Sequence, residues 1–95
     1  MSEVKDPIAQ RTLKAGDSAI VVTIGKPEED EGDYRCWYSL DTGQNRKQSY
    51  AIGADSLQAL QLAMIKINAD LLALGEELGV PVTWLDDTPG GGFVA

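Results

Sequence analysis

The stretch from Asp55 to Gly79 constrains this chain more than any other, because it carries a start signal, a stop signal and helical periodicity between them. Asp55 supplies an N-cap oxygen and Gln58 stands three residues on, as in a capping box, while Gly79 followed by Pro81 ends the pattern. Leu57, Leu60, Met64, Ile67, Leu71, Leu74 and Leu78 recur at spacings of three and four, which puts them on one face of a helix about 35 Å long. That face is expected to be the core face. Leu62, Ile65, Ala69 and Leu72 form a second apolar strip nearly opposite, set apart by Gln61 and Asn68 on one side and Lys66 and Asp70 on the other. A helix lying on a sheet buries one face, so the second strip calls for its own cover. That cover is the C-terminal segment with Trp84 and Phe93, the same strip of a second copy, or another partner. Gly75, inside the helix, points to close packing or to a fraying last turn.

Four segments ahead of the helix alternate like strands. Residues 8–14 mix apolar and polar side chains, and Ala15-Gly16-Asp17 is turn chemistry. Residues 18–24 are β-branched, with Ile20, Val22 and Ile24 on one face. In 34–40, Tyr34, Cys36, Tyr38 and Leu40 face the core while Arg35, Trp37 and Ser39 face away; 46–52 places Tyr50 and Ile52 on its apolar side. Residues 25–33, with Gly, Pro and five carboxylates, read as a solvated loop, and 41–45 as a short hairpin connection. Short connections favour antiparallel pairing, since parallel strands need a long crossover. The expected fold is therefore α+β: a four-stranded antiparallel meander packed on one long helix, with a short C-terminal strand at 82–85 or a tail. Residues 1–95 form one such domain, with 1–6 and 86–92 as flexible segments.

Chemistry in the sequence is sparse. With no histidine and one cysteine, neither a Ser-His-Asp or Cys-His arrangement nor a His-bearing or Cys-paired zinc site can form. Phosphate-loop and dinucleotide glycine patterns are absent, and Gly90-Gly91-Gly92 precedes no helix that would complete a phosphate cradle. Cys36 falls on the inward face of its strand, as a small buried apolar residue. No catalytic residue, cofactor or metal is assigned. Fifteen acidic against eight basic residues give a net charge of −7, which disfavours nucleic-acid and anionic-membrane partners and favours basic ones. The chain opens without a hydrophobic leader, no apolar run approaches membrane-spanning length, and the lone cysteine fits a reducing, cytoplasmic setting.

Three surfaces remain as sites. Glu28, Glu29, Asp30, Glu31 and Asp33 form an acidic docking loop, without the ligand spacing that wraps calcium; Asp86 and Asp87 read as solvated. Arg35 and Trp37, beside Lys47 and Ser49 if the hairpin pairs around Gly43, place an aromatic ring among cations on the sheet face away from the helix. The strip Leu62, Ile65, Ala69 and Leu72 is the third, making the protein a monomer or a weak homodimer.

Ala9-Gln10-Arg11-Thr12-Leu13, Tyr34-Arg35-Cys36 with Tyr38, the helix start Gly53-Ala54-Asp55-Ser56-Leu57-Gln58-Ala59-Leu60-Gln61-Leu62-Ala63, Trp84-Leu85 and Gly92-Phe93 together resemble a family of small bacterial proteins classed as a domain of unknown function. The resemblance implies bacterial origin, cytoplasmic location and a compact α+β domain, and it carries over no catalytic residue. Two functions stay open. One is a non-enzymatic interaction module that binds a basic protein partner, in the manner of small acidic immunity proteins that neutralise basic toxins. The other is a small-ligand-binding protein using the outer sheet face. The residue inventory also sets an expected outcome: elemental analysis of protein purified without chelator should find no stoichiometric transition metal, and one metal per chain would overturn the inventory.

Overall fold

The fold was obtained as a computed structural model, which describes residues 4–84, the backbone of 88 and 89, and 93. Its elements are β1 (Pro7–Ala15), β2 (Ser18–Gly25), β3 (Glu28–Asp30), β4 (Asp33–Asp41), β5 (Arg46–Gly53), α1 (Ser56–Leu78), β6 (Val82–Trp84) and β7 (Thr88–Pro89). The fold class is α+β, one helix on an antiparallel sheet. β1, β2, β4 and β5 form the expected meander, but the sheet is wider than four strands. β6 adds to the free side of β1, β7 to β6, and β3 pairs with the start of β4. Thr88 and Pro89 lie in the segment read as loop, whereas Leu85, Asp86, Asp87 and Gly90 to Gly92 fall outside the described residues.

The turns are explained by their residues. Ala15 pairs with Ser18 across a two-residue turn in which Gly16 takes φ 63, the position a type II′ hairpin reserves for glycine. β2 bends after Gly25 and continues as β3, which returns into β4 through Glu31 (φ 54) and Gly32 (φ 91). Two consecutive positive φ angles make this a type I′ hairpin. The stretch 25–33 is thus partly strand, a result that an unbroken run of polar side chains conceals. Val4, within the stretch read as frayed, is buried against Gly25, where an added Cβ would lie 2.6 Å from Val4 Cγ1.

The helix begins and ends where its caps place it. Asp55 Oδ1 accepts from Gln58 N–H at 2.8 Å, and Gln58 Oε1 accepts in return from Ala54 N–H, one residue earlier than a standard capping box. Gly79, at φ 77, donates its N–H back to Gly75 and Glu76. Gly75 reflects close packing: a Cβ there would lie 3.1 Å from the Val80 carbonyl oxygen.

The rotation of the helix corrects the expected stripe. Ala59, Ala63, Ile67 and Leu71 are fully buried against the sheet, Leu60, Met64 and Leu74 flank them, and Leu57 and Leu78 are exposed. Side-chain size explains the shift. The helix packs chiefly on β4 and β5, and its first turns come so close that a Cβ on Gly53 would sit 2.4 Å from Ala59 N. Only small side chains fit between backbones at that separation, so the alanines take the centre and the leucines move to the flanks. By length and composition α1 would also suffice to span a membrane, contrary to the sequence reading, although one face of it is committed to the sheet.

A helix about 10 Å wide covers about two strands spaced ~4.8 Å apart. β1 therefore needs other cover. Val82 is buried beside Ala15, while the Arg11 guanidinium lies 3.5 Å from the centroid of the Trp84 ring and 5.0 Å from that of Phe93. The tail aromatics thus complete the sheet side of the core, and the expected cover over Leu62, Ile65 and Leu72 is not supplied by the described tail residues.

These placements set measurable costs. Ile67→Ala should lose about 2–5 kcal/mol as a core truncation. Ala63→Leu should lose about 1–3 kcal/mol by overpacking the close approach. Leu57→Ala, in dilute protein, should stay within about 0.5 kcal/mol of wild type. Urea unfolding of the three variants checks the rotation of the helix, and a larger loss at Leu57 than at Ala63 would contradict it.

Candidate binding surfaces

β4 and β5 pair from Asp41 with Arg46 to Tyr34 with Gly53, leaving a four-residue loop at 42–45. Asp41 closes that loop: Oδ1 accepts from Gly43 N–H and Oδ2 from Arg46 Nη2 at 2.8 Å, contacts that hold its carboxyl below the usual carboxylate range, the arginine contributing most. An even-length loop pairs odd residues of β4 with even residues of β5. Arg35 accordingly faces Ile52, Trp37 faces Tyr50, and Ser39 faces Gln48. Tyr50 and Ile52, read as the apolar inward side of their strand, stand on the outer face and are exposed, while Ala51 and Gly53 point to the helix. Lys47 and Ser49 are likewise on the helix side, away from Arg35 and Trp37.

On the outer face, two sequence-derived surfaces merge. Arg35 Nη2 lies 2.6 Å from Asp30 Oδ2 of the acidic hairpin, and its guanidinium carbon is 4.6 Å from the Tyr50 ring centroid. Tyr50 in turn stacks at a tilt on Trp37, centroids 4.8 Å apart. The five carboxylates are carried on a hairpin rather than on an irregular loop: Glu28 meets Lys5 at 3.6 Å, Asp30 meets Arg35, and Glu29, Glu31 and Asp33 are exposed. Val4 lies over Gly25 beside the Trp37 carbonyl and shares a hollow with Val21, Thr23 and Ser39; Ser39 is buried, Trp37 half-buried, and Tyr50 and Ile52 are exposed. Among the described residues no group of Cys, Asp and Glu converges as a metal site would require.

On the helix side, Lys47 joins a network. Tyr38, fully buried, donates its hydroxyl to Asp70 Oδ2 at 2.5 Å, and Lys47 Nζ lies 3.2 Å from Asp70 Oδ1. Burial pushes the Tyr38 phenol well above its ordinary value, the bond to Asp70 adds to the shift, and Ser49 works against it. Lys66, one turn before Asp70, reaches across β5 to the Tyr50 carbonyl oxygen at 2.6 Å. Asp70 and Lys66 stand in the sequence as polar borders between two apolar strips; their partners depend on the strand register and are not visible there. Beside Asp70 and Lys47 a cleft of about 480 Å³ opens under the last turns of the helix, lined by apolar Ile20, Leu40 and Leu74 and by polar Thr42, Asn45 and Glu77. Cys36 is inward as expected, its thiol donating to the Gly25 carbonyl at 3.6 Å and pushed up by burial, an inert environment for a thiol.

Tyr38 carries a pH signature. Its raised pKa means that the folded state keeps the phenol protonated after the unfolded chain begins to ionise at a pH of about 10. The contribution of this hydroxyl is therefore present below that pH and is lost as pH rises above it. Tyr38→Phe should destabilise by about 1.5–3 kcal/mol at neutral pH, the range for a hydrogen bond to a charged group. The gap to wild type should narrow above pH 10, as denaturant titrations at several pH values would show.

No curated protein and no solved structure matches the chain. Residues 9–95 match the model of a family described as "Domain of unknown function (DUF6968)". That match takes in every strand and the whole helix except the first two residues of β1, and the chain belongs to this family of unknown function.

Proposed function

We propose that the protein is a non-enzymatic interaction module that docks a basic partner on the outer face of its sheet. The observation that carries this reading is the junction at Arg35, where an acidic hairpin is joined to a Trp37–Tyr50 stack with no helix over it. Aromatic and arginine side chains concentrate binding energy at interfaces, and exposed carboxylates beside them select cationic side chains and speed their encounter. The side chains best suited to covalent chemistry are held out of use: the Cys36 thiol and the Tyr38 phenol are both buried with raised pKa values. A cytoplasmic setting belongs to the same reading, with Cys36 as a free thiol.

A second reading, binding of a small ligand, is supported by the cleft beside Asp70 and Lys47, and so moves to the opposite face from Arg35 and Trp37.

Titration of isotope-labelled protein with an arginine- and lysine-rich peptide tests the docking reading. Amide shifts should centre on Glu29, Glu31, Asp33, Trp37 and Tyr50. Binding should weaken as ionic strength rises from about 0.05 to about 0.5 M, and Tyr50→Ala should weaken it about tenfold or more. Shifts centred on Asp70 and Glu77, or no shifts, would overturn it.

A further inference from the structure

We propose that the outward strip of α1 pairs with the same strip of a second copy of this chain, in an antiparallel dimer with two-fold symmetry. Leu62, Ile65 and Leu72 are 36%, 54% and 57% exposed, and Ala69 is exposed between them. Their spacings of three, four and three read the same in both directions. Such a strip is self-complementary under a two-fold axis, which requires that whenever residue i touches j, j touches i. An axis level with residue 67 brings Leu62 against the partner's Leu72 and Ile65 against the partner's Ala69, a large side chain over a small one. The same spacing is the seam of a left-handed helix pair.

Charge selects the occupant. From Leu62 to Leu72 the charged residues are Lys66 and Asp70, and both are engaged at β5 and Tyr38, away from the strip; the next carboxylate, Glu76, comes one turn beyond it. The strip therefore offers nothing to a basic partner, and it lacks the lysines and arginines that hold an amphipathic helix on an anionic membrane. A second copy presents the same uncharged surface, bordered by amides of Gln61 and Asn68. The strip runs about 15 Å along a helix about 10 Å wide, a contact well below the ~1,200 Å² of a stable complex, so the association is weak and concentration-dependent. It leaves the outer sheet face free, and so stands apart from the docking reading.

Analytical ultracentrifugation of the full chain tests it. The mass should rise from 10.2 kDa toward twice that value as concentration climbs from about 5 to about 500 µM. Added salt should strengthen the dimer by screening two chains of charge −7 from each other, the opposite of its effect on a basic ligand. Ile65→Glu should remain a single chain throughout with unchanged melting, and adding Ala69→Lys to it should restore association. A wild type that stays monomeric, an Ile65→Glu variant that still dimerises, or a double variant that does not recover would each overturn the proposal. So would flotation of the wild type with anionic vesicles that Ile65→Glu abolishes.

Discussion

The close approach of the helix to β4 and β5 governs the placement of most other side chains in this structure. At Gly53 and Ala59 the two backbones come within reach of direct contact, and a single added Cβ would collide with the helix. Alanine at 59 and 63, one turn apart, keeps the gap narrow, and Ile67 and Leu71 fill it where it widens. Fixing that line fixes the rotation of everything else on the helix. Lys66 and Asp70 fall on the β5 side, Leu60 and Met64 lean toward β1 and β2, and Leu62, Ile65 and Leu72 point to water.

A second constraint is the parity of the loop after β4. With four residues at 42–45, each odd position in β4 opposes an even one in β5. One residue more or fewer would exchange the two faces of β5, sending Tyr50 and Ile52 inward and Lys47 outward. Tyr38 would then lose the neighbourhood in which Lys47 steadies Asp70. The buried polar network and the outer aromatic stack are thus consequences of a single register.

The sequence made the helix and its caps legible to the residue, because Asp55, Gln58 and Gly79 are chemical signals read locally. The meander was equally legible from alternation and short turns. Legibility failed where the deciding quantity was a separation or a count between elements. Seven leucine-like residues outvote two alanines in any hydrophobic pattern, yet sterics at Gly53 give the alanines the centre. The hairpin register depended on whether Gly43 centred an odd or an even loop. β3 went unseen because its residues are acidic, and its pairing is specified by the turn at Glu31 and Gly32 and by Arg35 opposite Glu28. Of the surfaces read from the sequence, Arg35, Trp37 and the acidic residues do come together, while Lys47 belongs to the other face.

Lys66 has a further consequence for the sheet. Among the described residues β5 pairs on one side only, so the backbone groups of Tyr50 and Ile52 that turn away from β4 form an open hydrogen-bonding margin. Such a margin is a template for a foreign strand and, in a β-rich protein, a starting point for aggregation. The ammonium of Lys66 occupies the Tyr50 carbonyl of this margin from above. A strand approaching from solution would have to displace that bond and leave a charge wedged against its own backbone, so the sheet resists growth by strand addition along β5.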